Sequence, residues 1–199
     1  MTDLVNLLDP FFIIKAVGLI GVFAVIFAET GLFFGFFFPG DSLLFAVGLF
    51  SSQGFGDVQL VALGCFIAAV LGDSFGYAFG RKIGPAIFTK EDSFLFKKSY
   101  VEKSKLFYEK HGKKTIILAR FIPVVRTFAP ILAGVGKMEY KAFLFFNVLG
   151  GALWVFLMVF GGYFLGEMIP GVDQYILPIV VLIVLTSFAP ALKNLIKRK

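Results

Sequence analysis

Two arginines, Arg120 and Arg126, stand in the stretch "LARFIPVVRTFAP" at residues 118 to 130, with two prolines and otherwise mostly apolar neighbours. A guanidinium is permanently charged, and its planar fork matches phosphate oxygens in pairs. Two of them beside a helix break suit the binding of a phosphate group. Two carboxylates, Glu29 and Asp41, have comparably apolar surroundings, the second within "FPGDS". A carboxylate withdrawn from water can exchange a proton where arginine stays charged. Phosphate binding and proton exchange are the chemistries these side chains offer.

Most other chemistries are excluded. Cys65 is the only cysteine, so no intrachain disulfide forms, and His111 is the only histidine, in a lysine-rich stretch. A histidine metal site and a Ser-His-Asp triad therefore fall away. No Gly-x-x-x-x-Gly-Lys-Ser/Thr loop is present to hold a nucleotide. The expectation is a transporter with no catalytic residue, no metal, no cofactor and no nucleic-acid partner. A lipid phosphatase would rest on His111 alone.

The elements that carry these residues follow from composition. The chain has 199 residues, 58% of them hydrophobic and only 16% charged, with a mean hydropathy of +0.89. Soluble domains run at roughly 45–50% apolar and about 25% charged. The chain reads as an all-α integral membrane protein of one domain, residues 1–199. Its N-terminus, "MTDLVNLLDP", is acidic and shows no cleavable secretory signal.

A spanning helix needs about 20 mostly apolar residues. Residues 11–28, 58–80, 142–166 and 174–192 meet that need, giving four transmembrane helices. Two apolar stretches do not. Residues 29–51 are interrupted at Pro39–Gly40–Asp41, and residues 115–136 at Pro123 and Pro130. Proline removes a helical hydrogen bond and clashes with the preceding turn. The arms 30–38, 42–50 and 115–122 reach only about 12–14 Å at 1.5 Å per residue, half of a ~30 Å hydrocarbon core. They are expected to form two re-entrant helical hairpins with tips near the midplane.

Charge orients the chain. From Arg81 to Lys114 there are ten Lys or Arg against four Asp or Glu, which places this connector in the cytoplasm. The C-terminal "KNLIKRK" belongs there too, and threading puts the N-terminus on the same side. The connector, about 85–114, carries Phe94, Val101 and Tyr108 among its lysines, a pattern for a cytoplasmic interfacial helix or equally for a solvated loop.

"FPGDSLLFAVG…GYAFG" and "IPVVRTFAPILAGVG…GYFLG" match as broken hairpin followed by long helix. Repeat 1 covers about 29–84, repeat 2 about 115–169, and a C-terminal helix 172–193 follows. The topology makes the repeats inverted and the hairpins opposed, a layout of many secondary transporters. Glu29, Asp41, Arg120 and Arg126 facing lipid would together cost on the order of 10–14 kcal/mol. They must turn inward, toward one another or toward water. Simpler roles stand beside this: Asp41 as a helix N-cap, Glu29 at the interface, the arginines as latches. Asp73, Pro39, Gly40, Pro123 and Asn147 are expected to support the site, and helix bridging is the simpler role for Asn147.

"FAETGLFFGFFFPGDSLLFAVG", "LGDSFGYAFGRKIG" and "ARFIPVVRTFAPILAGVGKM" resemble the DedA family, also described as VTT or SNARE-associated-domain proteins. The likeness covers about residues 20 to 170, and no position within these motifs departs from the family pattern. The resemblance implies lipid translocators with two opposed re-entrant hairpins, and a multi-pass protein of the bacterial inner membrane. It implies recycling of undecaprenyl phosphate linked to the proton-motive force, with scramblases as distant relatives. It also implies that Glu29, Asp41, Arg120 and Arg126 serve activity.

The resulting expectation is proton-linked flipping of an anionic lipid phosphate, undecaprenyl phosphate foremost or a phospholipid. Arg120 and Arg126 hold the phosphate; Glu29 and Asp41 couple protons; membrane lipids surround the protein, and an oligomer stays open. Two alternatives stand: a proton/cation antiporter without a lipid substrate, and a non-transporting factor for membrane-protein assembly.

Overall fold

The computed structural model describes residues 10–32, 40–87, 112 and 114–168. Among them are six helices and no strand: α1 (Pro10–Gly31), α2 (Gly40–Ser52), α3 (Val58–Ile87), α4 (Thr115–Ala119), α5 (Pro123–Val135) and α6 (Tyr140–Met168). Pro39, the connector at 88–111 with His111, and the expected helix 174–192 lie outside the described residues.

The expected spans 58–80 and 142–166 form as α3 and α6. Val58–Lys82 and Tyr140–Met168 are long and apolar enough to cross a membrane. Each carries an exposed apolar row, Leu60, Leu63, Ile67, Leu71, Phe75 and Phe79 on α3, and Phe145, Leu149, Leu153, Phe156, Leu157 and Phe164 on α6. Such rows at helical spacing suit hydrocarbon rather than water. Asp57 starts α3 by accepting the Gln59 N–H at 2.8 Å, the usual service of an N-cap.

The expected span 11–28 is corrected. α1 is two helices joined at Gly18, where φ is 63° and ψ −166°, a backbone region essentially reserved for glycine. The apolar arm beyond it, Gly18–Gly31, reaches about 21 Å at 1.5 Å per residue. Helix also continues through Gly31, so Glu29 rides on the last turn of α1 rather than opening a hairpin.

The break in the arginine stretch is confirmed at one proline and corrected at the other. α4 ends at Ala119, and Ile122 is extended (φ −116°, ψ 106°) before Pro123 at the start of α5. Proline disfavours helical geometry in the residue before it, yet is preorganised for a first helical turn. Pro130, expected to interrupt, instead lies inside α5. It removes one rung of the ladder, but the helix is held from outside. Gly134 and Gly80 seat it against α3 so closely that a Cβ on either would collide with a backbone carbonyl, of Tyr77 and of Ile131 respectively.

The chain divides into two compact units. The first comprises α1 to Val25, α2, α3 to Phe66 and α6 from Val155. In it α2 packs on α6: a Cβ on Gly48 would strike the Val159 carbonyl, and one on Gly162 the Phe45 carbonyl. Leu43, Leu44, Val47, Leu49, Val155 and Val159 form its buried apolar core. The second comprises α1 from Ile26, α3 from Ile67, α4, α5 and α6 to Trp154. There α5 packs on α3, and Tyr77 stacks on Phe143 at 4.6 Å between ring centres. The end of α1 meets α3 where Gly31 and Gly72 touch backbone to backbone.

Candidate functional site

Three helix ends and two long helices position the charged residues of the second unit. Arg120 caps α4 at its C-terminal end, φ −62° and ψ −27°. Arg126 sits in the first turns of α5, just past the break that Pro123 makes. Glu29 comes from the last turn of α1, Asp73 from α3, and Asn147 and Trp154 from α6.

These side chains pair across elements, although Glu29 Oε2, Arg120 Nε and Arg126 Nε make no hydrogen bond among the described residues. Arg126 Nη2 donates to Glu29 Oε1. Arg120 Nη2 donates to Asp73 Oδ2 and to Asn147 Oδ1. Asn147 Nδ2 donates in turn to the Val70 carbonyl at 3.2 Å, which fixes its amide orientation. Both guanidiniums face the indole of Trp154, Arg126 at 4.5 Å and Arg120 at 5.8 Å from the ring centre. Arg126, at 6% exposure, is the most accessible of the set, and Trp154 is fully buried.

Two arginines and two carboxyl groups thus share one buried site. Each ion taken from water costs several kcal/mol, roughly recovered only when partners and hydrogen bonds are complete. The Trp154 face adds about 2 kcal/mol where a cation is desolvated. Thr127, also fully buried beside Arg126, has a hydroxyl with no hydrogen-bond partner among the described residues.

Space for Arg120 comes from a glycine pair. A Cβ on Gly150 would lie 3.2 Å from Arg120 Cδ, and one on Gly151 3.5 Å from its Cζ. Asn147, Gly150, Gly151 and Trp154 recur at helical spacing on one face of α6. The arginine lies along that face, held by amide, bare backbone and indole in sequence.

Of the residues expected at the site, Glu29, Arg120, Arg126, Asp73 and Asn147 come together. Asp73, given only a supporting place by the sequence, is the carboxylate that Arg120 takes. Asp41 belongs to the first unit, half-buried in the first turn of α2, where an acid also favours the helix dipole. Gly40 is the buried first residue of α2, and Pro123 starts α5. Sequence reasoning missed Trp154 and the Gly150–Gly151 pair. The signal was present in the spacing from Asn147 through the only tryptophan of the chain.

Residues 38–164 match the VTT domain. The chain is 44% identical to Protein DedA of Escherichia coli over 180 residues, 89% of this chain and 82% of that one. It is 45% identical to a membrane protein of Mycobacterium tuberculosis, over 96% of this chain and 87% of the relative. It is 34% identical to the inner membrane protein YqjA of Escherichia coli, over 73% and 66%. No solved structure matches the chain. With the family domain covering most of its length and relatives matched nearly end to end, the chain belongs to the DedA (VTT-domain) family of membrane proteins.

Proposed function

We propose that the protein carries an anionic lipid phosphate, undecaprenyl phosphate foremost, between the leaflets of the bacterial inner membrane, with proton exchange at the buried carboxylates. The observation that supports it most is the closed set of two arginines and two carboxylates around Trp154. A phosphate entering that set must displace a carboxylate. Protonating Glu29 removes its charge and releases Arg126, whereas arginine itself keeps its proton. The guanidinium then meets the phosphate with the same paired donors it offered the carboxylate. An arrangement of two opposed re-entrant hairpins, with both termini in the cytoplasm, is part of this reading. It draws support from α2 and α5, each 13 residues long, about 20 Å at 1.5 Å per residue and short of a ~30 Å core.

The test is flipping of defined lipid phosphates in reconstituted vesicles across a pH series. Wild type should move the lipid with a pH-dependent rate, and Arg126→Ala should stop it. Glu29→Gln, which imitates the protonated acid, should lose the pH dependence. In cells, Arg126→Ala should accumulate carrier phosphate on the outer face; no accumulation there ends the transport reading. Proton movement driven by a cation in vesicles free of lipid phosphate would favour an antiporter.

A second reading draws on the same ion pairs, because paired buried charges are also what a structural latch in an assembly factor requires. Exchanging the partners, Asp73→Arg together with Arg120→Asp, separates the two. A latch keeps its function in the exchanged form, and a phosphate site loses it.

A further inference from the structure

The second unit carries another cluster of cations, away from the paired arginines and built differently. Arg81 and Lys82 follow the apolar run of α3, and Lys137 stands in the turn between α5 and α6. Together with Ser74, Glu139 and Tyr140 they line an open cleft of about 730 Å³ floored by Tyr77, within the usual range of roughly 300–1,000 Å³ for a ligand site. Three cations against the single carboxylate of Glu139 leave the cleft positive.

Arg81 is held without being neutralised. Its Nη1 donates to the Tyr77 hydroxyl at 2.6 Å and to the Met138 carbonyl at 3.2 Å. Tyr77 donates to that same carbonyl. Both acceptors are uncharged, and Arg81 has no carboxylate partner among the described residues. An arginine carries five donors, so fixing one nitrogen orients the fork and leaves charge and donors for a ligand. Arg120 and Arg126, by contrast, each already hold a carboxylate.

Lys137 supplies the second observation. It is the only non-glycine residue with positive φ among those described, at 56°. The turn closing α5 has the Lys137 N–H on the Gly134 carbonyl and the Met138 N–H on the Ala133 carbonyl. That is the pattern in which glycine normally takes the left-handed position. A lysine there is strained relative to glycine, and it places a cation on the rim of the cleft.

From the uncompensated Arg81 and the strained Lys137 we infer that this cleft binds the phosphate headgroup of an anionic lipid at the membrane surface. The site is separate from the buried pairs and does not depend on the transport reading. Two features favour a lipid over free phosphate. Phe75 and Phe79 are exposed on the same helix, apolar surface on which acyl chains can lie. Arg81 and Lys82 also come at the end of the apolar run, where spanning helices meet headgroups and tyrosines gather.

The experiment uses the full-length protein in phosphatidylcholine nanodiscs, with dioctanoyl phosphatidic acid and, separately, inorganic phosphate as probes. Wild type should bind the lipid probe, more weakly as salt rises. Lys137→Gly should bind it about tenfold more weakly, the loss of one charge-assisted hydrogen bond. Its thermal midpoint should be unchanged or raised, because glycine suits the turn. Lys82→Gln, on an exposed side chain, should weaken binding in the same direction. Inorganic phosphate binding with the same Lys137→Gly loss would keep the site and reassign its ligand to free phosphate. Absence of binding of both probes, or affinity unaffected by Lys137→Gly and Lys82→Gln alike, overturns the inference. Arg81→Gln alone does not decide it, since Arg81 also ties Tyr77 to Met138.

Discussion

The two units seat a short helix in the same way and then diverge. In each, a helix of 13 residues lies on a Gly-Tyr-x-x-Gly segment, α2 on Gly162–Gly166 and α5 on Gly76–Gly80. In each, one glycine of the short helix, Gly48 or Gly134, meets backbone directly. The contacts differ in register: Gly48 meets Val159 and Gly134 meets Tyr77, so the two seats lie one helical turn apart along the matching Gly-Tyr-x-x-Gly segments. The first unit fills the space around this scaffold with leucine and valine; the second buries Glu29, Asp73, Arg120 and Arg126. One short helix is thus seated among apolar side chains and the other beside ion pairs.

The largest effect expected from this difference is on the ion pairs. Arg126→Ala leaves Glu29 charged in a dry site and should destabilise the protein by about 3–5 kcal/mol. Glu29→Ala with Arg126→Ala should cost less than either alone, since no buried charge is then left over. In the first unit, Asp41→Ala removes a half-buried first-turn acid whose part in the helix dipole is about 0.3–1 kcal/mol, so the loss should be smaller than at the buried pair. Denaturation in detergent, followed by circular dichroism, measures all four proteins. Equal losses for Arg126→Ala and Asp41→Ala would erase the distinction between the units.

Next come the glycines the units have in common. Gly48→Ala and Gly134→Ala each drive a methyl group into a backbone carbonyl, of Val159 and Tyr77 respectively. Neither carbonyl can swing aside as a side chain would, so the whole short helix must shift. Overpacking of this kind costs about 1–3 kcal/mol, and the two losses should agree closely. A large loss at one site and none at the other would mean that the two close glycine contacts are not mechanically alike.

The sequence made much of this legible, for reasons that can be named. Apolar length revealed α3 and α6 because hydrocarbon imposes length directly. Pro123 revealed the break before α5 because its effect on the preceding residue is local. Pro130 misled, since whether a proline interrupts a helix depends on packing from outside, here through Gly134 and Gly80. Gly18 was invisible because a glycine in an apolar run reads equally as straight helix or as a joint. At the site, the cost of burying charge showed that Glu29, Arg120 and Arg126 need partners, but not which partners. Choosing Asp73 for Arg120 depends on how α3, α4 and α6 are brought together, a fact of tertiary packing. The exchange by which α2 rests on α6 and α5 on α3 was hidden for the same reason, although both Gly-Tyr-x-x-Gly segments were visible.

Trp154 sharpens the comparison most. Trp154→Phe keeps an aromatic face toward both guanidiniums while weakening the attraction and leaving a small cavity. Being the only tryptophan in the chain and 4.5 Å from the Arg126 guanidinium, it makes wild-type fluorescence a direct reading of the charged site. Loss of the Glu29 charge would take the counter-ion from Arg126 and change the field at the indole, so the emission should shift wherever a buried carboxylate of the site takes up a proton. Glu29→Gln should show the low-pH emission throughout, and Asp41→Asn should leave the wild-type curve intact. An emission that ignores pH in the wild type would mean that the buried carboxylates keep their charge over the working range, and the second unit's ions would then be latches after all.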